Sequence, residues 1–150
     1  MRNDLLQILF AVLVLVFGTA AEELLPKVVG IGFPVLLVAV QMLTFRFRLP
    51  VAVAFAVAAG ALEDAVSGLS PLTSVSYFLL VLTAVRALGL PRLAIVLTYP
   101  CYQLWLSVWN GGLNGFTRIL LSFPVGLLTA CVVAGLLSWF MRKAAIDERG

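Results

Sequence analysis

Long apolar runs separated by short polar segments divide the chain into six parts. The runs cover residues 5–21, 28–45, 49–62, 73–88, 93–108 and 119–141. An α-helix rises about 1.5 Å per residue, so most of these runs approach the roughly 30 Å thickness of the hydrocarbon core of a bilayer. The pattern predicts six transmembrane helices in a single polytopic domain over residues 1–150.

Composition strengthens this interpretation. Hydrophobic residues make up 63% of the chain and charged residues 11%, whereas soluble domains are about 45–50% apolar and about 25% charged. We therefore expect an all-α integral membrane protein. The first run also has features of a secretory signal, but Asp4 weakens its positive start and the run is long enough to remain as a spanning helix.

The basic residues predict the orientation of the helices. With the N-terminus inside, eight of them fall on the cytoplasmic side: Arg2, Arg46, Arg48, Arg86, Arg92, Arg142, Lys143 and Arg149. Only Lys27 and Arg118 then fall outside. Because Lys and Arg near span ends are retained in the cytoplasm, we expect both termini there. The same assignment places Glu22, Glu23 and Asp64 towards the outer face.

Several classes of chemistry are disfavoured by the residues present. The sequence contains no histidine, the commonest general base and a frequent metal ligand. Asp64 is the only aspartate near the outer end of a predicted span, which argues against a two-aspartate protease. We expect no enzymatic activity, no cofactor and no bound metal. The net charge of +3 is explained by the orientation signals and by anionic lipid headgroups, without a nucleic-acid partner.

Small residues recur every fourth position in two of the predicted helices. They are Ala52, Ala56 and Gly60 in the third, and Gly126, Ala130 and Ala134 in the sixth. Such stripes allow close approach of a second helix within a membrane. We expect the third helix to be central. The stripes leave open whether the contacts lie within one molecule or in a homodimer.

The entry into the second helix is irregular, because Gly30, Gly32 and Pro34 are poor residues for a helix interior. The regular helix is expected to begin near Pro34. Residues 22–33 would then form an outer loop that either caps a pocket or simply connects two helices.

Asp64 is the charged residue that most needs an explanation, since a charge at the bilayer centre costs about 2.5 kcal/mol or more. The topology brings several polar residues to its side of the membrane: Glu63, Ser70, Ser74, Asn110, Asn114 and Arg118. They could form an outer polar cluster in which Asp64 or Glu63 pairs with Arg118. The alternative is that all of them face water.

The segment around Asp64 resembles a known family. The order Gly60, an apolar pair, Glu63, Asp64, then Gly68 and Pro71-Leu72, at the end of the third of six short helices, is similar to the rod shape-determining protein MreD family. The topology matches along the whole chain, and the motif is the specific part. Thr73 departs from the pattern, because family members often have glycine after Pro-Leu. By motif position, the resemblance assigns partner-binding or structural roles to Gly60, Asp64, Gly68 and Pro71.

The resemblance implies a non-enzymatic component of the bacterial cell-elongation complex in the cytoplasmic (inner) membrane. It would bind an MreC-like protein and, indirectly, MreB filaments and the peptidoglycan synthase. The family's architecture is similar to that of the substrate-binding subunits of energy-coupling-factor vitamin transporters. The alternative is that this chain is itself such a subunit, with Tyr77 or Trp105 stacking on a vitamin ring. A vitamin site would need several polar side chains inside the bundle, and the predicted helices contain few of them.

Overall fold

The computed structural model describes residues 2–30, 32–44, 46–89, 94–109 and 116–147, and these residues form six α-helices. The described part of the chain holds no β-strand. The helices are α1 (Arg2–Val29), α2 (Val35–Thr44), α3 (Leu49–Ser67), α4 (Thr73–Leu88), α5 (Ala94–Trp109) and α6 (Phe116–Asp147). The fold is therefore all-α.

Three helices in the described part of the chain are long and apolar enough to cross a membrane. These segments are Leu5–Val29, Leu49–Ser67 and Ile119–Phe140. Large apolar side chains cover much of their outer surface; Phe17, for example, is 70% exposed. Water would penalise such a surface, while lipid would not. These helices indicate a membrane protein. The other three are shorter, with 10 residues in α2 and 16 each in α4 and α5.

The structure corrects the predicted bounds of α1. The helix continues to Val29 and includes Pro26, so residues 22–29 are helical instead of forming an outer loop. Glu22, Glu23 and the two leucines after them are good helix formers. In addition, the Lys27 ammonium pairs with the Glu23 carboxylate one turn earlier, at 2.9 Å.

Other helix ends also differ from the apolar runs. Helix α2 begins at Val35, directly after Pro34, which confirms the predicted start of the regular helix, although the apolar run begins at residue 28. Helix α3 continues beyond residue 62 to Ser67, where Gly68 ends it. Helix α6 is longer than its apolar run at both ends. Polar residues extend α3 and α6 beyond their apolar runs. A hydropathy pattern marks only apolar residues, so it does not predict these extensions.

Helix α2 occupies the centre of the bundle. It contacts each of the other five helices, and its residues from Leu36 to Gln41 are buried on all sides. Helix α3, which was expected to be central, contacts only α1, α2 and α4 among the described elements. The apolar residues of α2 surround its whole circumference, and a helix that is apolar all round is stable in a core.

The small-residue face of α3 is buried, with Ala52, Ala56 and Gly60 all inside the fold. A Cβ atom placed on Gly60 would lie 2.6 Å from the Val75 Cα and 2.7 Å from the Val75 nitrogen. The backbones of α3 and α4 therefore approach each other more closely than any side chain at position 60 permits.

The two ends of the bundle carry different charges. At one end the Arg48 N–H donates to the Gln7 Oε1 at 3.1 Å, and the Arg86 guanidinium donates to the Phe47 carbonyl. At the opposite end lie the carboxyl groups of Glu22, Glu63 and Asp64. We refer to these as the basic end and the acidic end.

We expect Gly60→Ala to lower the free energy of unfolding by about 1–3 kcal/mol, because the new methyl group meets backbone that cannot rotate away. Gly135→Ala is the matched control, since a Cβ at that helical position has nothing within 4 Å. Thermal unfolding in detergent measures both variants. Equal melting temperatures for the two would contradict the close approach of α3 and α4.

Candidate functional site

Asp64 lies inside the acidic end and caps the N-terminus of α4. Its side chain is buried, and its Oδ1 accepts a hydrogen bond from the Ser74 N–H at 2.8 Å. The first N–H groups of a helix have no partner within the helix. A carboxylate at this position satisfies one of them and also interacts favourably with the positive end of the helix dipole. Asp64 thus provides the cap that Leu72, the residue before α4, does not.

The main chain of Asp64 ends the preceding helix. Its carbonyl accepts hydrogen bonds from the N–H groups of Gly68 and Leu69. Gly68 adopts the left-handed conformation, with φ 63°, which glycine reaches without the steric penalty of a Cβ. Asp64 therefore ends α3 through its backbone carbonyl and caps the start of α4 through its side chain.

Residues 70–73 form the turn between the two helices. The Thr73 N–H donates to the Ser70 carbonyl at 3.2 Å, and Leu72 has φ 72° and ψ 1°, as at the third position of a type II turn. Pro71 occupies the second position, which favours proline. The left-handed conformation costs a non-glycine residue about 1–2 kcal/mol. Leu72 is strained, and its side chain is 65% exposed.

Aromatic residues of α5 hold the start of α4. The Tyr102 hydroxyl lies 2.5 Å from the Ser74 Oγ, and both groups are buried. The Trp105 Nε1–H donates to the Thr73 carbonyl at 3.1 Å. In return, the Tyr77 hydroxyl of α4 donates to the Thr98 carbonyl at 2.7 Å. Tyr102, Trp105 and Tyr77 therefore join the start of α4 to α5.

A cavity of about 220 Å³ opens at the acidic end, where residues of α1, α2, α3, α4 and α5 line it. Its lining includes Glu22, Phe33, Glu63, Tyr99, Tyr102 and Gln103. The Glu22 Oε1 accepts a hydrogen bond from the Leu36 N–H at 2.7 Å. Glu22 of α1 therefore caps α2 in the same way that Asp64 of α3 caps α4.

The two glutamates lie side by side in the cavity wall. The Glu63 carboxyl group is adjacent to that of Glu22, and its Oε1 also accepts a hydrogen bond from the Ser67 hydroxyl at 3.0 Å. The Glu22 Oε2 is buried, and no hydrogen-bond donor among the described residues reaches it. The cavity wall thus holds two adjacent carboxyl groups.

The predicted outer polar cluster is divided by the structure. Glu63 faces the cavity, Ser74 is buried at the Asp64 cap, and the exposed Ser70 lies in the turn. Asn110, Asn114 and the Arg118 side chain lie outside the described residues, so the proposed pairing with Arg118 stays a prediction. In α6, Gly126 is buried, while Ala130 and Ala134 are half-buried.

Sequence reasoning missed the role of Glu22 and the contribution of Tyr102. Glu22 was assigned to a loop, although an acidic residue one turn before the end of an apolar helix can reach the start of the next helix. The positions of Tyr99, Tyr102 and Trp105, each three residues apart, were a usable signal, since they place the three rings on neighbouring parts of α5.

We expect Asp64→Leu to destabilise the fold by about 2–4 kcal/mol, since it removes a cap and leaves the Ser74 N–H buried without a partner. Asp64→Asn retains an oxygen that can accept the same hydrogen bond and should cost clearly less. Thermal unfolding of both variants in one detergent tests this order. Equal losses would show that the acceptor at position 64 is not what stabilises α4.

The Ser74 and Tyr102 hydroxyls should be energetically coupled. We expect Ser74→Ala and Tyr102→Phe each to cost about 1–3 kcal/mol, because each leaves a buried hydroxyl without its partner. The double variant should cost at least about 0.5 kcal/mol less than the sum of the single losses. A double-mutant cycle in unfolding free energy measures this difference, and strict additivity would contradict the hydrogen bond.

Comparison with known proteins gives no match: no family model, no curated protein and no solved structure is similar to this chain. Arguments about function therefore rest on the sequence motif and on the geometry of the acidic end.

Proposed function

We propose that the chain is a non-enzymatic membrane component of the bacterial rod-shape complex that binds an MreC-like protein. Through that partner it would support lateral peptidoglycan synthesis together with MreB filaments and the peptidoglycan synthase. The observation that carries the proposal is that the residues of the MreD-like motif build one structural unit, the junction between α3 and α4.

Each motif residue has a distinct physical role in this junction. Gly60 permits the close approach of the two helices, and Asp64 links them by hydrogen bonds. Gly68 ends α3 in the left-handed conformation, and Pro71 directs the turn. The motif therefore fixes a rigid shape, which favours a structural or partner-binding role over catalysis.

Leu72 is the surface feature of the junction that best suits a partner. Its apolar side chain is exposed while its backbone is held in a strained conformation. Strain of this kind concentrates at functional positions, where the surrounding structure supports it. We infer that a partner segment packs on Leu72 and the turn beside it.

The charge difference between the ends supports an orientation with the basic end in the bacterial cytoplasm and the acidic end outside. Both termini would then be cytoplasmic and all six helices would contribute to the span. Helices of 16 residues are about 24 Å long, so α4 and α5 require flanking residues or a thinned bilayer. The short α2 is shielded from lipid by the helices around it.

A second candidate function is favoured by the cavity. A substrate-binding subunit of an energy-coupling-factor vitamin transporter would need a pocket open to the outside, and the acidic end contains one of about 220 Å³. The two candidates predict different companions in the membrane, so a single purification distinguishes them.

The test is co-purification of the tagged chain from its native host in mild detergent, with mass spectrometry of the proteins that accompany it. We expect an MreC-like protein and wall synthases. Leu72→Asn should reduce their recovery at least tenfold without loss of thermal stability, because asparagine tolerates the left-handed conformation. Asp64→Leu should abolish recovery, and Asp64→Asn should retain much of it.

Gly135→Ala, on the distant α6, is the control variant and should recover the partners fully. Full recovery with both Leu72→Asn and Asp64→Leu would contradict a binding role for the junction. Recovery of a transmembrane coupling subunit with its ATPases would support the transporter alternative instead.

A further inference from the structure

The carboxyl groups of Glu22 and Glu63 lie side by side in the cavity wall. Glu22 is 9% exposed and lines the cavity, and no donor among the described residues reaches its buried Oε2. Glu63 lies beside it and brings a second carboxyl group. When both carboxyl groups are ionised they repel each other, and in a poorly solvated site the repulsion is strong. A positive group between them would remove it.

The nearest basic residue of α1 is engaged elsewhere. The Lys27 ammonium pairs with the Glu23 carboxylate, and both side chains are more than half exposed to solvent. Glu23 follows Glu22 in the chain, but Glu22 points into the bundle and Glu23 does not. The two neighbouring glutamates therefore have different environments, and only Glu22 belongs to the cavity.

From this arrangement we infer that the cavity is a binding site for the ammonium or guanidinium group of an organic cation. The two carboxyl groups would receive its N–H donors, since Glu22 has an unused oxygen and Glu63 receives only the Ser67 hydroxyl among the described donors. The rings of Tyr99 and Tyr102 in the same lining can interact with the cation through their faces. The Gln103 amide adds a further polar group.

The composition and size of the cavity favour an organic cation over a metal ion. Among the described residues, no group of three His, Cys, Asp or Glu side chains is placed to hold a metal. Phe78 and Leu106 contribute apolar wall, which suits an alkyl chain. The volume of about 220 Å³ is several times the roughly 30 Å³ share of one water molecule in the liquid, which leaves room for a small organic cation such as butylguanidinium.

The same chemistry can come from two sources, a free small cation or a basic side chain of a partner protein. The inference does not depend on the proposed function, because the chain alone can be tested with a small probe. The partner protein is needed only to decide whether the cation is a free small molecule or a basic side chain of that partner.

The experiment measures thermal unfolding of the purified chain in detergent with increasing butylguanidinium, and with butylurea as its neutral isostere. We expect a concentration-dependent rise in melting temperature with butylguanidinium and none with butylurea, since a ligand that binds only the folded state stabilises it. Glu22→Gln and Glu63→Gln should each weaken apparent binding at least tenfold. Glutamine can still accept the Leu36 N–H, so Glu22→Gln is expected to fold.

Glu23→Gln is the matched control, because it removes a carboxylate from the adjacent, exposed position and should leave binding unchanged. Equal effects of both probes, or equal binding by Glu22→Gln and Glu23→Gln, would overturn the inference. No binding to the parent chain would also overturn it. In that case the Arg118→Gln variant identifies the reason. Binding of butylguanidinium by this variant would show that the chain's own arginine is the cation in the cavity. Absence of binding would show that the two carboxyl groups share a proton.

The source is decided by repeating the titration on the complex with the co-purified partner. Loss of butylguanidinium binding in the complex, together with weaker partner recovery by Glu22→Gln, would identify a basic side chain of the partner. Unchanged binding in the complex would identify a free cation. Both results support the cation site, and failure of the partner proposal leaves the measurement on the chain alone intact.

Discussion

The N-terminal N–H groups of α2 and α4 impose the constraint on which the acidic end depends. These helices begin inside the bundle, where water cannot satisfy the N–H groups that lack partners within the helix. In both cases a carboxylate from the preceding helix accepts one of them. Glu22 of α1 bonds to the Leu36 N–H, and Asp64 of α3 bonds to the Ser74 N–H. The same kind of helix cap therefore occurs twice, once between α1 and α2 and once between α3 and α4.

This capping arrangement also determines where buried carboxyl groups accumulate. A carboxylate at membrane depth is costly, and one hydrogen bond together with the positive end of a helix offsets only part of that cost. The second oxygens of Glu22 and Asp64 are buried without a donor from the described residues. The residues that stabilise the helix starts are thus also the ones with an oxygen that no described donor satisfies, beside the cavity for Glu22 and within the bundle for Asp64. Stability and candidate binding share the same side chains.

Hydropathy was sufficient to predict six helices and the bounds of α4, 73–88, because both depend on the local run of apolar residues. The helical spacing of Ala52, Ala56 and Gly60 likewise predicted a buried face. The central position of α2 was not predicted, because it depends on contacts with helices far along the chain. The role of Glu22 was missed for the same reason, since its partner, the Leu36 N–H, is fourteen positions later. Local patterns define elements, and the pairing of polar groups between elements defines the site.

Tyr102 connects the two parts of the acidic end. It lines the cavity beside the glutamates, and its hydroxyl bonds to Ser74, the same residue whose N–H is capped by Asp64. A group bound in the cavity and a partner bound at the α3–α4 junction would therefore both act on this ring. Such a connection couples two sites only if Tyr102 has two positions and each ligand favours one of them. The packing of Tyr102 against Tyr77, at 5.1 Å between ring centres, opposes a small displacement, because closely packed interiors resist gradual deformation. Any coupling through the ring would thus require Tyr77 and Trp105 to shift together with it.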